Sequence, residues 1–317
     1  IRVTNAPTIL PWGHRFRFAA ELNAALTAWM VRRRLRRDAD PAVLWLYDPC
    51  FARCIGRSGE QFAVYDCVDD YAEQTGTDSR KRVLLSAYDR LAASRSRLVF
   101  ATAKGLAERH RATNEKTHLV GNVADFDHFA PAADRSIAVA DSASVKRPVL
   151  GFAGNFLASK VDFALLEAVA ARRPQWTLLL VGPARDDTAP ALEDLAAREN
   201  VRWLGPIAYD ELPGYIAAFD VATIPYLRNA YTRSCFPLKT FEYLAAGKPV
   251  VASGLPELEG MDPHVVLADG ADTFIAAVEA ALLRTSEPEV AARQEVAAAN
   301  TWETRTGRLL ELVGAEL

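Results

Sequence analysis

The sequence predicts an α/β protein made of two Rossmann-like domains facing a cleft, and three observations carry that prediction. The chain has 317 residues, more than one hydrophobic core usually organises, so about two domains of ~150 residues each are expected. From Pro148 onward, short apolar runs alternate with amphipathic stretches, the pattern of a parallel sheet with helical crossovers. Turn residues close these runs, as at Gly182-Pro183 and Gly205-Pro206.

In the second half, a strand over 148–153 is followed by a helix over 161–172, where Phe163, Leu166 and Ala170 recur at helical spacing. Strand 176–181, helix 190–199, strand 201–204, helix 209–218, strand 220–225, helix 237–246 and strand 249–252 complete about five units. The first half is less regular. Strands are expected at 43–47, 62–66, 97–102 and 117–120, with helices at 82–93 and 104–111. Ahead of them lies a long amphipathic helix over 15–37. Residues 130–146 are rich in Ala, Ser and Asp without a periodic apolar face, as in an interdomain linker. The expected domains are therefore 1–145 and 146–300, and a carboxy-terminal helix over 301–317 is expected to pack back on the first domain.

Composition narrows the function. Half of the residues are apolar and 24% are charged, as in an ordinary soluble protein. With 37 Lys+Arg against 40 Asp+Glu, the formal charge of −3 supplies no global cationic field, so no nucleic-acid partner is expected. No apolar run reaches the roughly 18–20 residues of a membrane span, and residues 1–11 lack the order of a signal peptide, so a cytoplasmic location is expected. Cys50, Cys54, Cys67 and Cys235 form no disulfide framework. Cys50 and Cys54 have the spacing of one metal-ligand pair, but no second Cys/His pair follows at zinc-site spacing. Reduced, part-buried thiols are expected, and no metal centre.

The most informative segment runs from Phe236 to Ser253. Pro237 fits a first helical turn, and Gly247 then Pro249 stop the helix. Lys239 and Glu242, three apart, share one face. At the amino end, Lys239, free amides and the helix dipole would together hold a phosphate, and one turn on Glu242 would accept bonds from ribose hydroxyls. The spacing equally fits an intrahelical salt bridge worth a few tenths of a kcal/mol. No Gly-x-Gly-x-x-Gly follows any expected strand, which disfavours a dehydrogenase.

This segment resembles the donor-site signature of GT-B glycosyltransferases, in particular retaining family-4-type enzymes: Glu-Gly-Phe-Gly-Leu-Pro, two residues, then Glu-Ala-Met-Ala-Cys-Gly-x-Pro-Val-Val. Phe236, Leu238, Glu242, Ala245, Gly247, Pro249, Val250 and Val251 match. The stretch from Gly154 to Lys160 is similar to the family's Gly-Arg-Leu loop ending in Lys, and residues 220–225 to its Asp-Val-x-x-x-Pro strand. Residues 121–129 are similar to its Asn-Gly-Val-Asp-x-x-x-Phe stretch. The likeness covers about residues 62–302 and extends to a bacterial branch similar to teichuronic acid and cell-envelope glycosyltransferases.

The resemblance implies that Glu242 holds the donor ribose. Lys160 and the amino end of the 237–246 helix would bind the diphosphate, with Gly154, Asn155, Ser234, Phe236, Leu238 and Lys239 around the donor. Lys160 and Lys239 would stabilise the leaving diphosphate. No metal and no cofactor beyond the nucleotide-sugar substrate is then needed. There are departures: Ser234 stands for the family's first Glu, Cys235 and Pro237 for its two glycines, and Asn155 for the loop Arg. Lys239, with Arg228 or Arg233, is expected to restore the missing charge.

At the tip of the strand over 62–66, Asp66, Asp69 and Asp70 follow Tyr65, where the family carries a His-Asp pair. Asp66 and Asp69 are the candidates for catalytic contact with acceptor or sugar hydroxyls, against a reading in which one of these acids caps a turn. His14 is a weaker candidate. Arg32, Arg33, Arg34, Arg36 and Arg37 end the first long helix, where they either complement its dipole or touch anionic lipid or a lipid-linked acceptor.

The expected function is a retaining, metal-independent transfer of a sugar from a nucleoside diphosphate, UDP favoured, to a hydroxyl acceptor. It is expected in the cytoplasm, with peripheral contact at the inner membrane face. The alternatives are a sugar-nucleotide epimerase of the same fold and a degenerate GT-B domain that binds a partner. The chain begins with Ile1, and the opening strand and Gly-containing loop of a GT-B amino-terminal domain are not found, so that domain is expected to be incomplete.

Overall fold

The computed structural model describes residues 17–35, 42–74 and 79–317. These form two compact units, the described residues up to 121 with Leu317, and residues 122–316.

In the first unit, α1 (Arg17–Leu35) precedes β1 (Val43–Leu46), a 3-10 turn (Pro49–Cys54) and β2 (Phe62–Cys67). Then follow α2 (Ser79–Arg95), β3 (Leu98–Ala101), α3 (Lys104–Arg111) and β4 (Thr117–Leu119). The four strands form a parallel sheet in the order β1-β2-β3-β4. The central strands are covered on both faces: all four residues of β3 are buried, as are five of the six in β2. The buried stripe of α1 is made of alanines, Ala20, Ala24 and Ala28 at i, i+4, i+8. Their short side chains let the helix lie close on the 3-10 turn, where the Cys54 thiol meets the Ala24 carbonyl at 3.5 Å. His14, Arg36 and Arg37 lie outside the described residues.

The second unit opens with the short helices α4 (Phe126–Phe129) and α5 (Ala140–Ala143). The winding then runs β5 (Val149–Ala153), α6 (Phe163–Arg172), β6 (Thr177–Val181), α7 (Ala189–Ala196), β7 (Val201–Trp203), α8 (Leu212–Ala217) and β8 (Val221–Ile224). It continues through α9 (Lys239–Ala245), β9 (Val250–Ser253), β10 (Val265–Ala268), α10 (Gly270–Ala281), α11 (Glu287–Ala298) and α12 (Trp302–Gly314). All six strands are parallel, in the order β7-β6-β5-β8-β9-β10. This is the doubly wound order in which the winding reverses between the first and fourth strands, here β5 and β8, and such sheets bind ligands outside the carboxyl ends at that point. The strands are almost wholly buried around a core that includes Phe152, Leu179, Phe219, Val221, Leu244 and Val251.

Two features depart from expectation. Strand β10 and helix α10 add a sixth unit to the five read from the sequence. The compact units part at Gly121, ahead of the boundary expected at 145, because residues 122–146 pack as part of the second unit. Phe129 and Ala132 belong to its core, and the Val139 amide bonds the Gly214 carbonyl at 3.3 Å. Asp220, at the amino end of β8, binds both Arg135 and Arg147 and accepts the Val149 amide at 2.7 Å. The linker composition thus conceals a clamp of two arginines on one carboxylate. Helix α12 also belongs to the second unit.

Candidate active site

The carboxyl ends of β5 and β8 bring together residues from four segments. After β5 the chain turns at Gly154, with φ +153°, and its amide donates to the Val181 carbonyl at 2.8 Å. Gly182, at φ +131°, follows β6, and a Cβ there would overlap the Gly154 carbonyl oxygen. Only glycine lets the two turns pass.

Over Gly154 lies Lys239, the first residue of α9: its Nζ and Cε would each stand 3.0 Å from a Cβ at Gly154. The ammonium donates to the Tyr226 hydroxyl at 2.8 Å. It also faces the Phe152 and Tyr226 rings, with centroids 5.2 and 5.3 Å away. Burial opposes its charge, but the Tyr226 oxygen and then Glu242 outweigh that and hold the ammonium above the ordinary lysine range. Lys160 stands nearby, its Nζ 4.9 Å from the Tyr231 ring centroid and 6.0 Å from that of Tyr226. Its backbone is fixed by the Leu227 amide, which donates to the Lys160 carbonyl at 2.7 Å. Among the described residues neither lysine forms an ion pair with a carboxylate. Aromatic faces support both charges without neutralising them.

Glu242 sits one turn along α9, part-buried. The salt bridge to Lys239 that its spacing allowed does not form, since the lysine turns to Tyr226. Among the described residues the Glu242 carboxylate has no hydrogen-bond or ion-pair partner. Burial pushes its pKa up, against the pull of Lys239 and His128. His128, from α4, stacks on Tyr209 with centroids 4.4 Å apart, and its Nε2 donates to the Tyr209 carbonyl at 3.0 Å. Helix α9 is anchored from below by Tyr243, whose buried hydroxyl accepts the Ala153 amide at 2.7 Å. At its other end, the fully buried Arg293 donates to the Gly247 carbonyl at 2.8 Å.

The remaining expected donor residues border this arrangement. Phe236 stacks on Phe241 at 5.2 Å, and its carbonyl accepts from Asn122 Nδ2 at 2.8 Å. Leu238 and Asn155 are exposed, and Ser234 is part-buried at the end of a 3-10 turn. Helix α9 starts at Lys239 and has seven residues. Pro237 therefore precedes it, and so short a helix adds little macrodipole. Of the two arginines expected to restore charge, Arg228 is paired with Asp269 at 2.8 Å. Both arginines line a pocket of about 300 Å³ with Asn229, Thr232, Gly254, Leu255 and Pro256, and Asn229 Nδ2 ties its wall to the Ser159 carbonyl at 2.8 Å.

In the first unit, Asp66 is fully buried. Asp69 accepts from the Asp70 amide at 2.9 Å and from Gln74 Nε2 at 3.0 Å, and Asp70 pairs with Arg109 at 2.7 Å. Both Asp69 oxygens are thus engaged by the local turn. Arg32, Arg33 and Arg34 are exposed at the end of α1, with Arg33 over the Trp29 ring at 5.5 Å. No helix among the described residues is long and apolar enough to cross a membrane.

Sequence reasoning missed Tyr226, Tyr243 and His128. Tyr226 directly follows the Pro225 that ends the family-like strand motif, the one signal in the sequence that points to it.

Two Rossmann-like units, the second with lysines and a glutamate at its switch point, define a glycosyltransferase of the GT-B fold. The Glycosyl transferases group 1 family matches residues 147–284, and the chain belongs to it. It is 30% identical over 296 residues to TuaH of Bacillus subtilis (strain 168), named for teichuronic acid biosynthesis, covering 88% of this chain and 73% of that protein. Among solved structures, sucrose-phosphate synthase from Thermosynechococcus elongatus superposes with a TM-score of 0.73 at 19% identity, over 95% of this chain and 80% of that one. Anabaena HepE in complex with UDP-glucose gives 0.71 at 17%, over 91% and 82%.

Proposed function

We propose that this glycosyltransferase uses a nucleoside diphosphate sugar, with UDP as the favoured carrier, and moves the sugar to a hydroxyl acceptor with retention of configuration. The observation that carries this reading is the pair Lys160 and Lys239 flanking Tyr226, two cations that form no ion pair with a carboxylate among the described residues. A diphosphate supplies the missing charge. As the glycosidic bond breaks, negative charge grows on the leaving phosphate oxygen, and preplaced ammonium groups are worth most at that moment. The departing oxygen then takes the proton of the acceptor hydroxyl as that hydroxyl attacks from the same face. Glu242, lacking an internal partner, accepts the ribose hydroxyls. Gly154, Asn155, Ser234, Phe236 and Leu238 surround the donor. In this reading the lysines take the electrostatic role, and the transfer step needs no metal and no further cofactor. UDP is favoured by the bound ligand of the HepE structure and a cell-envelope acceptor by the likeness to TuaH. The exposed Arg32, Arg33 and Arg34 suit a lipid-linked one at the membrane surface.

Calorimetric titration with UDP, GDP and dTDP, followed by donor hydrolysis with NMR of the released sugar, tests the proposal. Tightest binding of UDP and retained anomeric configuration in the presence of a chelator are expected. Inversion of the product overturns retention, a rearranged donor without hydrolysis indicates an epimerase, and absence of nucleotide binding indicates a degenerate domain.

A further inference from the structure

The first unit contains a second concentration of chemistry, independent of the nucleotide-binding reading. Cys67 ends β2, Asp89 lies on α2 and His110 on α3, and one ligand atom from each lies within 4.8 Å of the others. Cys67 and His110 are buried. His110 Nε2 is 3.4 Å from Asp89 Oδ1 yet makes no hydrogen bond, an orphaned polar atom in a side chain that is 1% exposed. Such an atom costs stability unless something supplies its partner. The Tyr65 hydroxyl, also fully buried, donates to Asp89 Oδ1 at 2.7 Å.

We propose that Cys67, Asp89 and His110 bind a zinc ion. The donor set is sulfur, nitrogen and oxygen, the three ligand types zinc takes, at bonds of about 2.0–2.3 Å. Ligand atoms around a tetrahedral centre with such bonds are about 3.3–3.8 Å apart, and the His110 to Asp89 separation already falls in that range. A thiolate, a carboxylate and a neutral imidazole together balance a dication, which suits a buried site. Thiolate and imidazole also disfavour magnesium and calcium. Tyr65 acts as a positioning residue, orienting the Asp89 carboxylate as outer partners of metal ligands do. The ligands are about twenty residues apart in sequence, outside the short spacings of zinc motifs, so no motif announces them.

Without a cation, burial and the Asp89 charge push the Cys67 thiol up to about 12. A bound dication reverses that and deprotonates it. The ion would cross-link β2, α2 and α3 directly beneath the strand tip that carries Asp66 and Asp69. That makes its role one of holding the first unit together, apart from the transfer step.

The test uses the full chain, stripped with a chelator and titrated with Co²⁺ and then Zn²⁺. About one Co²⁺ per chain, with the visible bands of a tetrahedral ion and a thiolate-to-cobalt charge-transfer band, is expected, and Zn²⁺ should bleach both. Cys67→Ser should abolish the charge-transfer band, His110→Gln should weaken binding more than about tenfold, and Tyr65→Phe about tenfold, whereas Cys50→Ser should leave the spectrum unchanged. Absence of the bands in the unmodified chain, or a charge-transfer band that survives Cys67→Ser, overturns the proposal. Should Cys67→Ser fail to fold, the cobalt spectrum of the unmodified chain and of His110→Gln decides, because each is read without that variant.

Discussion

The Lys239 ammonium donates to the Tyr226 hydroxyl at 2.8 Å, which joins the first residue of α9 to the tip of β8 across the switch point. If Lys239 stabilises the leaving group as proposed, Lys239→Ala should lower kcat by about 10²–10³. Tyr226→Phe keeps the ring but frees the ammonium from its fixed position. It should lower kcat about tenfold to hundredfold, in line with a hydrogen bond to a charged group, with little change in KM. Steady-state kinetics with a sugar nucleotide checks both, and unchanged kcat in both variants would remove Lys239 from the transfer step.

Glu242→Gln should weaken nucleotide binding about tenfold to hundredfold by calorimetry. The same substitution should stabilise the free protein. Burial raises the Glu242 pKa, so the folded state binds more protons than the unfolded one between the ordinary carboxylate value and the raised one, and stability falls as pH rises through that window. Denaturant melts across acidic pH should show a fall that is shallower in the variant.

Lys248 is buried, with its Nζ 3.0 Å from the Ala217 carbonyl. Burial first, then Arg135, lower its pKa to about 7, with Asp220 opposing. From about pH 7 up to the ordinary lysine value the folded chain binds fewer protons than the unfolded one, so stability rises with pH there. Lys248→Met should flatten that rise, which amounts to the order of a few kcal/mol.

Gly182→Ala should destabilise the second unit by about 1–3 kcal/mol, since its Cβ would overlap the Gly154 carbonyl oxygen. Thermal melts report this, and the displaced Gly154 turn should weaken UDP binding as well.

Replacing Arg32, Arg33 and Arg34 by alanine should abolish flotation with anionic liposomes at low salt, with each arginine contributing about 1 kcal/mol. If the unmodified chain stays in the bottom fraction even at low salt, the membrane contact is wrong.

Much of this architecture was legible in the chain. Strands β5, β6, β8 and β9 are buried on both faces, so they read as unbroken apolar runs closed by glycine or proline. Helix α9 is delimited in the sequence by Pro237 before it and by Gly247 and Pro249 after it. Strand β10 is only four residues long and part-exposed at the sheet edge, so its apolar run is short, although Asp269 and Gly270 mark the start of the helix after it. The partners of Lys239 were invisible, because Tyr226 and Gly154 meet it only through the sheet. Residues 122–146 show the same limit. Their composition suggests a linker, and what attaches them to the second unit, the burial of Phe129 and Ala132 and the ion pair of Arg135 with Asp220, involves partners far along the chain.

Those ion pairs give strand β8 two unlike ends. At its amino end the chain furnishes its own counter-ion, Asp220, for two arginines. At its carboxyl end two lysines flank Tyr226, and neither is ion-paired among the described residues. The free protein therefore projects a local positive potential from one tip of a sheet in a molecule whose formal charge is negative, and an incoming polyanion is drawn to that tip before any contact forms. Capture should accordingly slow as ionic strength rises, while the folded unit, whose arginine clamp is internal, should be far less affected by salt.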